Sequence, residues 1–318
     1  MWPKTTEIGG HAVSESPIKG GFNTYQTLLF MVILSVVCAL ILSVLASALA
    51  GPQQMAKELD RSQQMMIAAQ VMNHQGYFLL KEKEDPPVRA RLDSTALLVA
   101  DPEAKPATQE QALGVYTKRF IPLLVDAKGN VLTFEKAGID YKNYLADFRK
   151  SGYYKQPLKL VYKILPNNAQ DRNPVGWIIP VNGFGLWDAI YGYLALDPNG
   201  DTVIGISWYD QKETPGLGAN IAEADWQSQF PGKKIFQESS GGKTDFKLAP
   251  IGIRVVKGKV AEVLGDSPKA ASAVDGMAGA TLTGNGVTDA YRDVLGAYRP
   301  FFIQLHEGAT KDDAKQAS

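Results

Sequence analysis

The chain has 318 residues, 45% of them hydrophobic, and its 33 basic residues are matched by 33 acidic ones; this is enough for one large or two medium globular units beside any membrane segment. Balanced charge excludes a nucleic-acid binder that works by neutralising phosphates, because the lysines and arginines are scattered among acids. A single cysteine, Cys38, excludes an internal disulfide framework, and the widely spaced His11, His74 and His306 argue against a zinc site or a Ser-His-Asp triad.

Residues 1–26 read as a polar tail, and residues 27–50, TLLFMVILSVVCALILSVLASALA, carry no charge. At ~1.5 Å per residue a helix of that length crosses a hydrocarbon layer of ~30 Å with some tilt. Tyr25 stands where an interfacial aromatic would, and Gly51 with Pro52 is expected to stop the helix on the far side. The small-residue pattern Ala48-Leu49-Ala50 leaves a signal peptide as the alternative. The apolar run exceeds the usual ~7–15 residues, however, and a long polar tail precedes it, so an uncleaved single span is expected. Lys19 on one side against Lys57 and Arg61 on the other places the C-terminal part in the cytoplasm by one charge.

Residues 53–73 follow as a helix, with Met55, Leu59, Met66, Ala69 and Met72 at roughly helical spacing and Lys57, Glu58, Asp60 and Arg61 between them. Residues 81–91, KEKEDPPVRAR, read as a charged, proline-interrupted linker. Short apolar runs (ALLVA, RFIPLLV, LKLVYKIL) then alternate with polar breaks up to residue 168, which suits an α+β unit without a catalytic signature. Residues 175–181 read as a buried strand, and residues 182–187, NGFGLW, as a glycine-hinged loop. Two strand-like runs, AIYGYLAL and TVIGISWY, meet at Asp197-Pro198-Asn199-Gly200-Asp201, where Pro presets one turn residue and Asn-Gly supplies positive φ. Residues 211–220, QKETPGLGAN, form an exposed arch able to present backbone amides to a ligand.

The most informative segment is DGMAGATLTGNG at residues 275–286, directly ahead of an amphipathic stretch. Its glycines allow close approach of an anion. Amides around Gly279, Ala280 and residues 284–286, with the N-terminus of the next helix, would face it. Thr281 and Thr283 offer two hydroxyls. From the residues alone, a ligand loop and a mere strand-to-helix connection both remain open. In residues 287–305, Val287, Tyr291, Val294, Leu295, Tyr298, Phe302 and Leu305 make one apolar face; Pro300 is expected to break or kink that helix, and residues 307–318 to form a polar, disordered tail.

The run Asp275-Gly276-Met277-Ala278-Gly279-Ala280-Thr281 resembles the flavinylation motif of the FMN-binding domain family, found in the C subunit of the sodium-translocating NADH:quinone oxidoreductase and in the G subunit of the Rnf complex. The order GFGLW, ALDPNGDTVIG, ETPGLG and DGMAGATLTGNGV resembles the quinone-reducing type. The likeness runs from about residue 27 to 305, densely after residue 176. It implies an α+β fold, with a single N-terminal transmembrane helix (27–50) followed by a mixed helical and α+β region (51–168), an FMN-binding domain (169–306) and a polar tail (307–318). It implies covalent FMN on Thr281 through a phosphoester, with Asp275, Gly276, Gly279, Ala280 and Thr281 read by a flavin transferase. One position departs from the family pattern, which has Ser or Thr where this chain has Ala278.

The same resemblance places Gly279, Ala280, Leu282, Thr283, Asn285, Gly286, Glu213, Thr214, Leu217, Gly218, Leu186 and Trp187 around the flavin. Without it, Glu213 reads as a solvated loop acid, and Trp187 reads as readily as a core aromatic as a flavin contact. No catalytic acid or base and no metal are expected, because the flavin brings its own redox chemistry. The resemblance implies a bacterial inner-membrane subunit in a complex of six that oxidises NADH, reduces ubiquinone and exports sodium. Its tail lies in the cytoplasm and its flavin domain in the periplasm, against the charge count. Two alternatives stand beside it: the G subunit of an Rnf-type complex, and a membrane-anchored assembly module with a vestigial flavin loop.

Overall fold

The computed structural model describes residues 23–81, 87–167, 173–239 and 244–316, and within them all side chains except those of 52, 54, 55, 57 and 309–316. The tail through residue 22, the Met55 and Lys57 side chains, residues 82–86 of the expected linker and the chain end at 317–318 lie outside it. The chain divides into two compact units, Met1–Ala56 and Lys57–Ser318.

The first unit holds most of helix α1, Thr24–Ala68. Its segment Thr24–Gly51 is long and apolar enough to cross a membrane and is fully exposed to its surroundings, which fits a single-pass membrane anchor. The expected stop at Gly51-Pro52 is absent, since α1 continues through both residues. An interior proline costs ~3 kcal/mol, and the strong helix formers that follow in AKELDRSQQMMIA favour propagation past it.

In the second unit α1 ends at Ala68 rather than residue 73. Gln70 adopts φ 54°, Val71 N–H donates to Met66 O and Gln70 N–H to Ile67 O, a left-handed Schellman ending. Strands β1 Phe78–Leu80, β2 Val88–Leu92 and β3 Leu98–Ala100 form a small antiparallel sheet. The end of the expected linker is thus strand β2, whose Val88-Arg89-Ala90-Arg91-Leu92 turns Ala90 inward. Helix α2, Gln109–Arg119, starts on a reciprocal Thr108/Gln111 capping box.

Then come β4 Phe120–Val125, β5 Val131–Leu132, the short helix α3 Phe134–Ala137, α4 Tyr141–Phe148, β6 Lys159–Ile164, β7 Gly176–Phe184, β8 Ala189–Leu196 and β9 Val203–Asp210. These strands make one antiparallel sheet in the order β5-β4-β6-β7-β8-β9. The expected hairpin is present, with Gly200 at φ 77° in its turn. The fold is α+β, as the sequence implied.

Both faces of the large sheet are buried, and successive residues divide between them. Leu123, Val125, Val161, Ile179, Val181, Leu194 and Leu196 join one core, while Leu124, Leu160, Tyr162, Ile178, Tyr193 and Ala195 join the other. Two-sided burial explains why these strands read as continuous apolar runs with no polar alternation. The second core is completed by Met65, Met66 and Met72 at the end of α1 and by Ala112 and Val115 of α2. On this face Gly205 of β9 lies so close to α1 that an added Cβ would stand 2.6 Å from the Ala68 carbonyl oxygen. Gly205→Ala should therefore lower stability by about 1–3 kcal/mol, read as a lower melting temperature of the full-length protein in detergent; an unchanged melt would show the contact to be compliant.

The chain closes with α5 Ala224–Gln227, β10 Arg254–Val255, α6 Val260–Val263, β11 Ala273–Val274 and α7 Thr281–Gln316. β10 and β11 pair in parallel. Helix α7 covers the first core with Val287, Tyr291, Val294, Leu295, Tyr298 and Phe302, all at most 1% exposed, and Tyr298 Oη donates to Leu160 O at 2.7 Å. It differs from expectation at both ends. It begins at Thr281, and it runs through Pro300 and the expected disordered tail to Gln316. Burial of Phe301 and Phe302 just beyond Pro300 offsets the ~3 kcal/mol cost of the proline.

Candidate functional site

Three segments meet at the start of α7: the end of β7 with residues 185–187, the 211–220 arch after β9, and residues 275–286. Gly279 adopts φ 72°, Ala280 N–H donates to Met277 O, and Ala280 O accepts the first helical bond from Gly284 N–H. Ala280 is therefore the N-cap, and the half of the motif expected to be loop is the first two turns of α7. Gly284 N–H is spent inside the helix, and Asn285 and Gly286 follow it there. The open donors are instead the amides of Thr281, Leu282 and Thr283, which have no acceptor among the described residues.

Glycines let the three segments touch. A Cβ on Gly286 would lie 2.0 Å from Phe184 O, one on Gly183 2.5 Å from Ala290 Cβ, and one on Gly218 2.5 Å from Thr283 Oγ1. A Cβ on Gly185, read as a hinge, would meet Glu213 Oε1 at 2.4 Å. The loop is held in place there. Gly216 at φ 75° turns the arch, and Leu217 reaches across so that a Cβ on Gly279 would be 2.9 Å from its Cδ2.

Glu213 is the tie. Its carboxylate accepts from Thr283 Oγ1 at 2.5 Å and from the backbone N–H groups of Leu186 and Trp187 at 3.0 Å each. Only 5% of the residue is exposed, so it is no solvated loop acid. Burial pushes its pKa up, but the hydrogen bonds from Thr283, Trp187 and Leu186 outweigh burial and hold it below the usual glutamate value.

Thr283 is 1% exposed and committed to Glu213. Thr214 Oγ1 accepts from the Trp187 indole N–H at 3.1 Å, and Thr288 Oγ1 donates to Gly284 O at 2.9 Å. Thr281 is exposed, and its hydroxyl has no partner among the described residues. The three segments that meet here also expose apolar side chains: Trp187 at 68%, Leu282 at 59%, Leu186 at 48% and Leu217 at 41%. The core reading of Trp187 does not hold.

A cleft of about 350 Å³ opens beside Thr281, bounded by Val255, Lys257, Lys259, the 275–281 segment and Asn285. A cavity of about 410 Å³ near Arg119 and Ile164 holds none of the motif residues, so the smaller cleft is the one the motif lines. Asp275 and Gly276 shape it from below. Asp275 Oδ1 accepts from Val260 N–H at 2.7 Å and Asp275 O from the Trp226 indole at 3.1 Å, while Gly276 N–H donates to Gly258 O at 2.8 Å. The sequence reading missed Lys257 and Lys259, because two lysines around a glycine look like any exposed turn; only the β10–β11 pairing brings them to the motif.

An open hydroxyl at a helix N-terminus, three free amides, two lysines and a rim of exposed apolar groups suit a molecule with an anionic end and a flat apolar end. A family model for the FMN-binding domain matches residues 185–296, which include Glu213, Asp275, Thr281 and Thr283. The C subunit of the Na(+)-translocating NADH-quinone reductase of Chlamydia caviae is 43% identical over 306 residues, covering 92% of this chain and 96% of that protein. The chain belongs to the C-subunit family of the Na(+)-translocating NADH-quinone reductases. Within that family the C subunit of Yersinia pestis is 30% identical, over 90% of this chain and 95% of that protein. A crystal structure of the C subunit from Parabacteroides distasonis, 22% identical, superposes with a TM-score of 0.51 over 80% of this chain and 96% of that one, and agrees in fold.

Proposed function

We propose that this chain relays electrons within a sodium-translocating NADH:quinone oxidoreductase through an FMN joined by a phosphoester to Thr281. One observation carries the reading: of Thr214, Thr281, Thr283 and Thr288, Thr281 presents the hydroxyl that no described group engages, beside three unsatisfied amides. When bound, FMN supplies one- and two-electron redox chemistry. The protein's part is placement. Thr281 anchors the phosphate end, and the amides of Thr281, Leu282 and Thr283 face its remaining negative charge.

Leu186, Trp187, Leu217 and Leu282 offer apolar surface to the isoalloxazine, with Thr214 orienting the Trp187 indole. Glu213 acts indirectly, by holding Leu186, Trp187 and Thr283. Gly218, Gly279, Ala280 and Gly286 keep the segments in contact, and Asn285 stands exposed at the rim. No residue here serves as an acid or base. The test is the full-length protein coexpressed with a flavin transferase and run on a denaturing gel: ultraviolet fluorescence at its band is the expected result, and a dark band would leave only the vestigial-module reading.

The reading extends to a flavin-binding domain at 169–306 behind the 51–168 region, and to a complex of six subunits that takes electrons from NADH, delivers them to ubiquinone and exports sodium across a bacterial inner membrane. The resemblance outweighs the one-charge count at the membrane, so the N-terminal tail is assigned to the cytoplasm and the flavin domain to the periplasm. A reporter fused after Ser318 should be active only if it is of a type that folds in the periplasm; activity from a strictly cytoplasmic reporter would reverse the topology.

A further inference from the structure

The cleft beside Thr281 has a second wall that the flavin motif does not include. Lys257 and Lys259 bound it, separated by Gly258 at φ 104°. Both are exposed, and neither forms an ion pair among the described residues. Their position is fixed by the motif itself. Val256 N–H donates to Val274 O at 3.0 Å, Gly276 N–H to Gly258 O at 2.8 Å and Val260 N–H to Asp275 Oδ1 at 2.7 Å, which brackets the lysine turn on both sides. A Cβ on Gly276 would fall 2.1 Å from Val256 O. Asp275 and Gly276 are therefore built into the support of this turn, whatever else reads them.

The charge balance of the cleft favours an anion. Lys257 and Lys259 face it with Asp275 as the opposing acid, whose carboxylate is already bonded to Val260 N–H. Glu262 is near the turn, with Oε2 3.9 Å from a Cβ built on Gly258, and does not line the cleft.

We propose that Lys257 and Lys259 form a phosphate-binding subsite that orients the diphosphate of a flavin dinucleotide towards the Thr281 hydroxyl during attachment. The proposal rests on Thr281 as the acceptor. Condensing a free phosphate monoester with a hydroxyl expels water and is unfavourable in water, so the donor must carry a leaving group on phosphorus. With a dinucleotide, the bond from Thr281 Oγ to the flavin-side phosphorus forms and the bond from that phosphorus to the bridging oxygen breaks. The nucleoside monophosphate departs with the electron pair, and the hydroxyl proton passes to solvent. Negative charge accumulates on the departing phosphate, where two ammonium groups stabilise it.

The test uses full-length protein in detergent, purified transferase and a flavin dinucleotide, with the initial rate of fluorescent labelling as readout. The double variant Lys257→Gln/Lys259→Gln should lose about tenfold in kcat/KM for the protein acceptor, as two partly exposed charges acting on a nearby anion would give. The loss should shrink at high salt. The double variant Lys257→Arg/Lys259→Arg should recover most of the rate, and both should melt where the unmodified protein does. Labelling of the Gln variant at the unmodified rate, or failure of the Arg variant to recover, would overturn the subsite. If the unmodified protein stays dark, or Thr281→Val still labels, the acceptor assignment itself fails, and that result is separate from the behaviour of the lysines.

Discussion

Thr281→Val should abolish covalent flavin completely, while Thr283→Val should keep it. The difference follows from what each hydroxyl is doing. Thr283 Oγ1 is buried and donates to the Glu213 carboxylate at 2.5 Å, so reaching an incoming phosphorus would mean breaking a charge-assisted hydrogen bond and turning the side chain out of the first turn of α7. Thr281 is exposed at the first position of the same helix and lines the cleft that Lys257 and Lys259 also bound. Valine matches threonine in shape, so little packing is lost at position 281. At position 283 the lost donor should cost about 1–2 kcal/mol of stability without touching attachment. A denaturing gel of both variants after coexpression with the transferase decides between them: fluorescence surviving in Thr281→Val and lost in Thr283→Val would move the attachment point by two residues.

Much of the fold that positions this threonine is legible in the chain, and the misreadings share a cause. The 197–201 turn is legible because its proline and Asn-Gly act locally, and Gly200 has the φ of 77° that such a turn needs. The apolar face of α7 is legible because its spacing is a property of the helix alone. The start of α7 is not. Residues 281–286, TLTGNG, have poor helix propensity and look like loop, yet Gly286 is there because the Phe184 carbonyl oxygen leaves no room for a side chain, a Cβ standing 2.0 Å from it, and Gly284 packs closely on Val255, whose Cγ1 would lie 3.1 Å from an added Cβ. Glycine placed for tertiary contact cannot be told, in one sequence, from glycine placed for flexibility. The same ambiguity makes Gly185 look like a hinge.

Pro52 reads as a helix end and Pro300 as a break or kink for a related reason, since what carries each helix onward lies beyond the proline. Glu213, Lys257 and Lys259 look like ordinary charged residues in turns until β7, β9 and the β10–β11 pair bring their segments to the N-terminus of α7. The proposed acceptor is one of two hydroxyls legible in the motif, and the choice between them rests on a carboxylate that lies 70 residues earlier in the chain.

That carboxylate carries the second large effect. Glu213→Ala should lower the stability of the full-length protein by about 3 kcal/mol at pH 7, because the donors of Thr283, Leu186 and Trp187 lose a charged acceptor and the first turn of α7 loses its link to the 185–187 loop. In a unit of this size the loss corresponds to a melting temperature lower by roughly 6–12 °C. The effect should depend on pH in one direction. The Glu213 pKa is lower in the folded protein than the ordinary value of 4.5, so the unfolded chain binds the proton more readily and this group's contribution grows as pH rises. It is fully present above about pH 4.5 and disappears as pH falls through the lower folded value. Melts of the unmodified protein and Glu213→Ala should therefore be furthest apart near neutrality and draw together as pH falls below about 4.5. A gap that stays constant as pH falls from about 7 through about 4.5 would mean that the Glu213 pKa is the same in the folded and unfolded chain, and a gap that widens would mean that Glu213 is held as the neutral acid.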